Sequence, residues 1–121
     1  KQKNKQKINR RFKKDLKGVV ACAPKAAITG NARIILRIND FHRFKNDEIL
    51  ITEETDSNFL PVMKKAKAFV TDEGGLLCHA AIVARELKKP CIVGVKNATK
   101  IIENGNLIEM NLKNGKIKIL N

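Results

Sequence analysis

The chain has 121 residues, a net charge of +13, 43% hydrophobic residues and five aromatic side chains, all Phe. That length fits one domain able to bury a core without covalent staples, and the composition requires the core to be built from Ile, Val, Leu and Ala. Three cysteines (Cys22, Cys78, Cys91) without Cys-x-x-Cys spacing argue against a disulfide framework or a zinc knuckle, and no apolar run nears the ~18 residues of a membrane-spanning helix.

The charge is concentrated at the start. Residues 1–17 carry nine Lys or Arg and one Asp, a net +8. With only Ile8, Phe12 and Leu16 to bury, the segment reads as a basic linker, helical at most, and the body as residues 18–121. No apolar stretch follows those charges, so they do not make a secretory signal, and the free cysteine count points to the cytoplasm. Ala32–Ile38 and Glu48–Thr52 read as strands, with a short helical turn capped by Asn39 or Asp40 between them. Residues 58–66 predict a helix with Pro61 in its first turn and Phe59, Val62, Met63 and Ala66 on one stripe. Ala68–Thr71 is a short buried strand. Cys78–Lys88 is a helix stopped by Pro90, and Cys91–Val95 is another strand. A helical turn over Ala98–Glu103 ends at Asn104-Gly105. Leu107–Asn111 and Lys116–Leu120 alternate, and Lys113-Asn114-Gly115 between them predicts a hairpin. The fold class expected is α/β, with mixed sheets of short strands, flanking helices, parallel crossovers in the middle and hairpins at the ends.

The chemistry gathers at residues 71–86. A strand ending at Thr71 runs into Gly74-Gly75 and then into a helix whose buried stripe is Ala80, Val83, Ala84 and Leu87. His79 lies in the first turn, at the rim of that stripe. First-turn N–H groups have no intrahelical partner, the helix dipole is positive there, and glycine turns present further N–H groups, so an anion has a place beside the ring. Gly74, Gly75, Cys78 and Ala80 are the expected phosphate-binding positions. A neutral imidazole keeps one nitrogen lone pair for attack on phosphorus. Thr71 is placed to bond the ring or the phosphate, Arg85 to support the structure or a docking contact, and Asp72 and Glu73 either to orient the ring or help hold a metal or to serve as plain turn residues, the latter favoured for Glu73. The bland reading, a half-buried histidine bonded to a carbonyl, fits the same pattern. His42 reads as a surface residue. No metal ligand set is apparent.

The run Thr71-Asp72-Glu73-Gly74-Gly75-Leu76-Leu77-Cys78-His79-Ala80-Ala81-Ile82-Val83-Ala84-Arg85-Glu86, with Pro90 and Gly94 beyond, resembles the phosphohistidine, or swivelling, domain of phosphoenolpyruvate-utilising enzymes. That group includes phosphoenolpyruvate synthase, pyruvate phosphate dikinase, Enzyme I of the sugar phosphotransferase system and rifampin phosphotransferase. Gly18-Val-Val-Ala-Cys-Ala-Pro, Ile49-Leu-Ile-Thr, Thr55-Asp56 and Pro61-Val-Met-Lys-Lys-Ala extend the likeness over most of residues 18–121. The resemblance implies a swivelling β/β/α domain in which His79 is transiently phosphorylated. It would relay the group between an ATP-grasp nucleotide-binding domain and a pyruvate/phosphoenolpyruvate-binding domain, with Mg2+, ATP and phosphoenolpyruvate used by the complete phosphotransferase and none bound by this domain alone. A rifampin phosphotransferase-like carrier is the near alternative. Three positions depart from the family pattern: Leu77 stands where many members have Thr, Lys25 where Gly is usual, and Asn58 where an acid is frequent.

Two readings of other classes remain. The +13 charge raises a nucleic-acid-binding module, against which stand the absence of Tyr and Trp for stacking and the location of the charge in the tail. A degenerate docking domain would keep the fold and lose the intact glycine-histidine pattern.

Overall fold

Residues 16–121 are described by the structure, a computed structural model. Seven strands form one sheet in the order β1-β5-β4-β3-β2-β6-β7. They are β1 (Val19–Cys22), β2 (Ala27–Ile34), β3 (Ile49–Thr52), β4 (Ala68–Thr71), β5 (Cys91–Val93), β6 (Leu107–Asn111) and β7 (Ile117–Ile119). The four central strands run parallel. β1 joins β5, β6 joins β2 and β7 joins β6 in antiparallel fashion.

Every residue of β3, β4 and β5 is buried, because both faces of the sheet are covered. On one face Ile49, Ile51, Ala68, Val70 and Ile92 pack with Ile108, Met110, Ile117 and the short helix α3 (Ala98–Ile101). On the other, Leu50, Phe69, Cys91 and Val93 pack with α1 (Leu60–Lys65) and α2 (His79–Leu87). α1 and α2 are the crossovers from β3 to β4 and from β4 to β5, so the parallel ladder and the helical layer arise from the same connections. Among the described residues no helix is long and apolar enough to cross a membrane.

The sheet curls until its edges approach. Lys17 bridges Lys116, the Gly18 amide donates to the Gly115 carbonyl at 3.0 Å and the Ile117 amide to the Leu16 carbonyl at 2.9 Å. Gly115 has φ +79°, and a Cβ there would collide with the Gly18 carbonyl oxygen. Leu16, which the sequence places in the linker, is 2% exposed and belongs to the first core cluster. Packing therefore reaches at least two residues ahead of Gly18. The rest of the expected linker lies outside the described residues.

The structure moves several other boundaries. β2 begins at Ala27, because Ala27 to Asn31 pair with Asn111 to Leu107. Ladder partners from the far end of the chain make a strand of residues that carry no strong strand signal, including Gly30 and Asn31. Leu36 and Ile38, expected inside that strand, are exposed. Ile38–Arg43 is a 3-10 helix whose N-cap is Arg37, without a side-chain cap, and His42 on it is exposed. The helix expected over 58–66 divides into a 3-10 turn at Ser57–Phe59, capped by Asp56 accepting from the Asn58 amide, and α1. α2 stops because Lys88 turns left-handed (φ 56°, ψ 47°), two residues before Pro90. Lys25 is absent from the positive-φ positions, so the loop after Pro24 accommodates a side chain.

Lys89 closes the far end of the helical layer. Its Nζ donates to the carbonyls of Met63 (3.0 Å), Lys64 (2.7 Å) and Ala66 (2.7 Å), the acceptors left open where α1 ends. Lys89→Met keeps the aliphatic stem and removes all three donors. We expect a loss of about 2 kcal/mol, read as a lower urea midpoint with an unchanged slope.

Candidate functional site

β3 and β4 are parallel and in register, with Thr52 beside Thr71. Their continuations, Glu53 to Asp56 and Asp72 to Gly75, therefore leave the sheet at the same edge. Two bonds extend the pairing past the strands: the Asp72 amide to the Thr52 carbonyl at 3.0 Å and the Glu73 amide to the Glu53 carbonyl at 2.9 Å. This brings Thr55 to His79 across 24 residues of sequence, and Thr55 Oγ1 lies 2.8 Å from His79 Nδ1.

Gly74 turns the chain from the sheet towards α2. Its φ is +103°, and an added Cβ would lie 2.7 Å from Cys78 Sγ and 3.1 Å from Cys78 Cβ. Conformation and space both exclude a side chain there. Gly75 is different: its φ is ordinary, it is exposed, and a Cβ would meet nothing within 4 Å. Its carbonyl accepts the Cys78 amide at 3.1 Å. Arg85, one turn and a half along α2, reaches back with Nη2 to the Leu76 carbonyl at 2.8 Å and braces the loop.

His79 is the first residue of α2 and half-buried. It lines a cavity of about 170 Å³ together with Glu54, Thr55, Thr71, Glu73, Gly74, Cys78 and Ala80. With Nδ1 engaged by Thr55, Nε2 is the ring nitrogen without a partner among the described residues. The N-cap, Cys78, makes no side-chain cap, and the first amide of the helix to find a carbonyl is that of Ile82, on Cys78. The amides of His79, Ala80 and Ala81 are therefore open at the positive end of a nine-residue helix.

The sequence-predicted residues separate into three groups. His79, Gly74, Cys78, Ala80 and Thr71 meet at the cavity. Within that group, the Cys78 amide is already bonded, so Cys78 contributes wall and not an anion donor. The Thr71 hydroxyl donates to the Glu73 carbonyl at 2.6 Å, which spends its one proton on loop shape. Gly75 and Arg85 form and brace the loop outside the cavity. Asp72 is turned away from the ring: Oδ1 accepts from the Thr99 amide (3.0 Å) and Oδ2 from the Thr99 hydroxyl (2.6 Å), fastening α3. It borders a second cleft with Glu53, Glu73, Lys96, Asn97 and Lys100. Burial pushes the Cys91 thiol up from its ordinary value, reinforced by Cys78 and Cys22, so it stays a protonated core filler. The sequence reading assigned no role to Thr55 or Glu54. Their signal is the shared exit of two parallel strands, which spacing along the chain does not display.

Residues 44–115 match the family model described as "PEP-utilising enzyme, mobile domain". The chain is 47% identical over 87 residues to phosphoenolpyruvate synthase of Aquifex aeolicus, covering 72% of this chain and 10% of that protein. It is 40% identical over 93 residues to rifampicin phosphotransferase of Bacillus cereus, covering 77% of this chain and 11% of that protein. The chain thus spans about a tenth of the length of these relatives. A solution NMR structure of Enzyme I (nEIt) superposes with a TM-score of 0.56 at 24% identity, covering 66% of this chain and 33% of that one, a likeness of fold.

The two glycines are expected to respond unequally. Gly74→Ala should cost about 1–3 kcal/mol and displace the His79 resonances in an NMR spectrum, whereas Gly75→Ala should stay within about 0.5 kcal/mol of wild type.

Proposed function

The chain belongs to the family of mobile domains of PEP-utilising enzymes, and from that premise we propose that His79 is its phosphoryl carrier, accepting the group at Nε2 and passing it on. The observation that carries this reading is the bond between Thr55 and Nδ1 beside a cavity and three open helix amides. For Nε2 to attack, its lone pair must be free, so Nδ1 must hold the ring proton and donate it to Thr55 Oγ1. Thr55 is buried three residues past β3, and its hydroxyl oxygen is placed to accept from this tautomer.

In the transfer, the Nε2 lone pair forms a bond to phosphorus while the bond from phosphorus to the leaving oxygen breaks and its electrons stay on that oxygen. The ring becomes an imidazolium, with its remaining proton still on Nδ1 and directed at Thr55. The open amides of His79 and Ala80 and the dipole of α2 face the new negative charge. Passing the group to an acceptor reverses these steps and regenerates the neutral ring. Gly74 permits the turn, and Arg85 fixes the loop so that ring and amides keep their relation.

The donor and final acceptor lie outside this chain. In this reading ATP and phosphoenolpyruvate are bound by an ATP-grasp domain and a pyruvate/phosphoenolpyruvate domain, with His79 moving between them in the cytoplasm. A rifampin-type acceptor in place of pyruvate would leave the role of His79 unchanged. Magnesium would serve the nucleotide on the partner domain. The described residues include no group of three or more His, Cys, Asp or Glu placed to hold a metal.

The full-length polypeptide is expected to take up label from radioactive ATP or phosphoenolpyruvate as an acid-labile, base-stable adduct, lost in His79→Ala. Equal labelling of the two proteins would refute the carrier role. Thr55→Val should slow labelling on the order of tenfold to a hundredfold, and 15N spectra should show the Nε2–H tautomer gaining population.

A further inference from the structure

The His79 cavity has an unusual charge inventory for a phosphate site. Two of its walls are carboxylates, Glu54 and Glu73, and no Lys or Arg lines it. Both are exposed, and among the described residues neither makes an ion pair. They arrive there by the same register that supplies Thr55: the chain leaves β3 through Glu53-Glu54 and β4 through Asp72-Glu73, with the two exits hydrogen-bonded to each other.

The cations nearby lie outside this lining. Arg85 is bonded to the Leu76 carbonyl. Lys96 and Lys100 lie in the adjoining cleft, where Glu53 and Asp72 also lie and Glu73 is the shared wall. Within the cavity lining, the α2 dipole, about half a positive charge, is set against the two rim carboxylates. At short range these two rim carboxylates oppose an approaching phosphoryl group, although the chain as a whole carries a net charge of +13.

We propose that Glu54 and Glu73 are an electrostatic gate on His79: they hold phosphoryl donors off the imidazole while the cavity is open to solvent, and they are offset when a donor site rich in positive charge covers it. The inference rests on the carrier reading and adds what that reading lacks, a reason for the carrier to exchange phosphate only when docked. The partner it fits is a cationic site mouth. Leu77, two residues before His79 and 85% exposed, would meet that mouth first. Covering the cavity removes water from around the carboxylates, so their pairing with the partner's cations strengthens as the ring is presented.

The test uses phosphoramidate, a small anionic donor, with this chain and no partner. Nε2 forms a bond to phosphorus, the phosphorus–nitrogen bond of the donor breaks, and ammonia leaves with the electron pair. The product is followed by 31P NMR. For wild type the rate is expected to rise about threefold to tenfold from about 10 mM to about 500 mM NaCl, as salt screens the rim. The double variant Glu54→Gln with Glu73→Gln should react about tenfold faster at low salt and lose the salt response. Glu54→Asp with Glu73→Asp should keep the wild-type profile, as should Glu109→Gln on β6. Wild-type rate and salt response in the double Gln variant would overturn the gate and leave the carrier reading standing. Absence of phosphohistidine at residue 79 in every variant and at every salt concentration would overturn both.

Discussion

The contact between Thr55 and Nδ1 of His79 is the constraint on which the site depends. It is one hydrogen bond at 2.8 Å, and it engages Nδ1 while leaving Nε2 without a partner among the described residues. It also requires agreement between distant parts of the chain. Thr55 is held by the exit from β3 and His79 by the start of α2, and only the register of β3 on β4 places one against the other. A one-residue slip in that ladder would put Thr52 and Thr71 on opposite faces and separate Thr55 from His79. The doubly buried strands prevent the slip. Leu50 and Phe69 are packed on the helical face and Ile51 and Val70 on the other, so a shifted register would misplace apolar side chains on both faces.

The rigidity of the sheet and the shape of the histidine loop are connected through backbone contacts. The Glu73 carbonyl accepts the Thr71 hydroxyl, and the Gly94 amide lies 3.3 Å from it. A Cβ on Gly94, where φ is +65°, would lie 3.0 Å from the Gly74 carbonyl oxygen. The end of β5 thus supports the turn that the end of β4 begins. The leucines at the loop tip, Leu76 and Leu77, remain exposed, while Arg85 holds the backbone beneath them. The loop is therefore shaped from within the domain and leaves its outward side chains unused by the domain itself.

Much of this was legible in the residues. The strand, glycine turn and helix around His79 are local features, and composition and periodicity are enough to place them. β4 and the β6–β7 hairpin fall where alternation and the turn at Lys113-Asn114-Gly115 put them. What escaped is non-local. The first half of β2 is a strand because β6 pairs with it, Leu16 is core because the sheet curls back on it, and β1 is a strand because β5 receives it. Thr55 and Glu54 belong to the same class, since their meaning comes from a neighbouring strand. Asp72 illustrates the reverse error: adjacency in sequence to the glycine turn suggested a part in the chemistry, but its carboxylate is occupied by Thr99.

The meeting of Leu16 and Lys17 with Lys116 and Ile117 has a consequence for how the domain meets other polypeptides. A sheet that ended in two bare margins would offer unpaired amides and carbonyls to any other polypeptide, a standing invitation to clump. Here those margins are drawn together, and lysines stand where they join. A margin closed in this way leaves a second copy less open backbone to pair with.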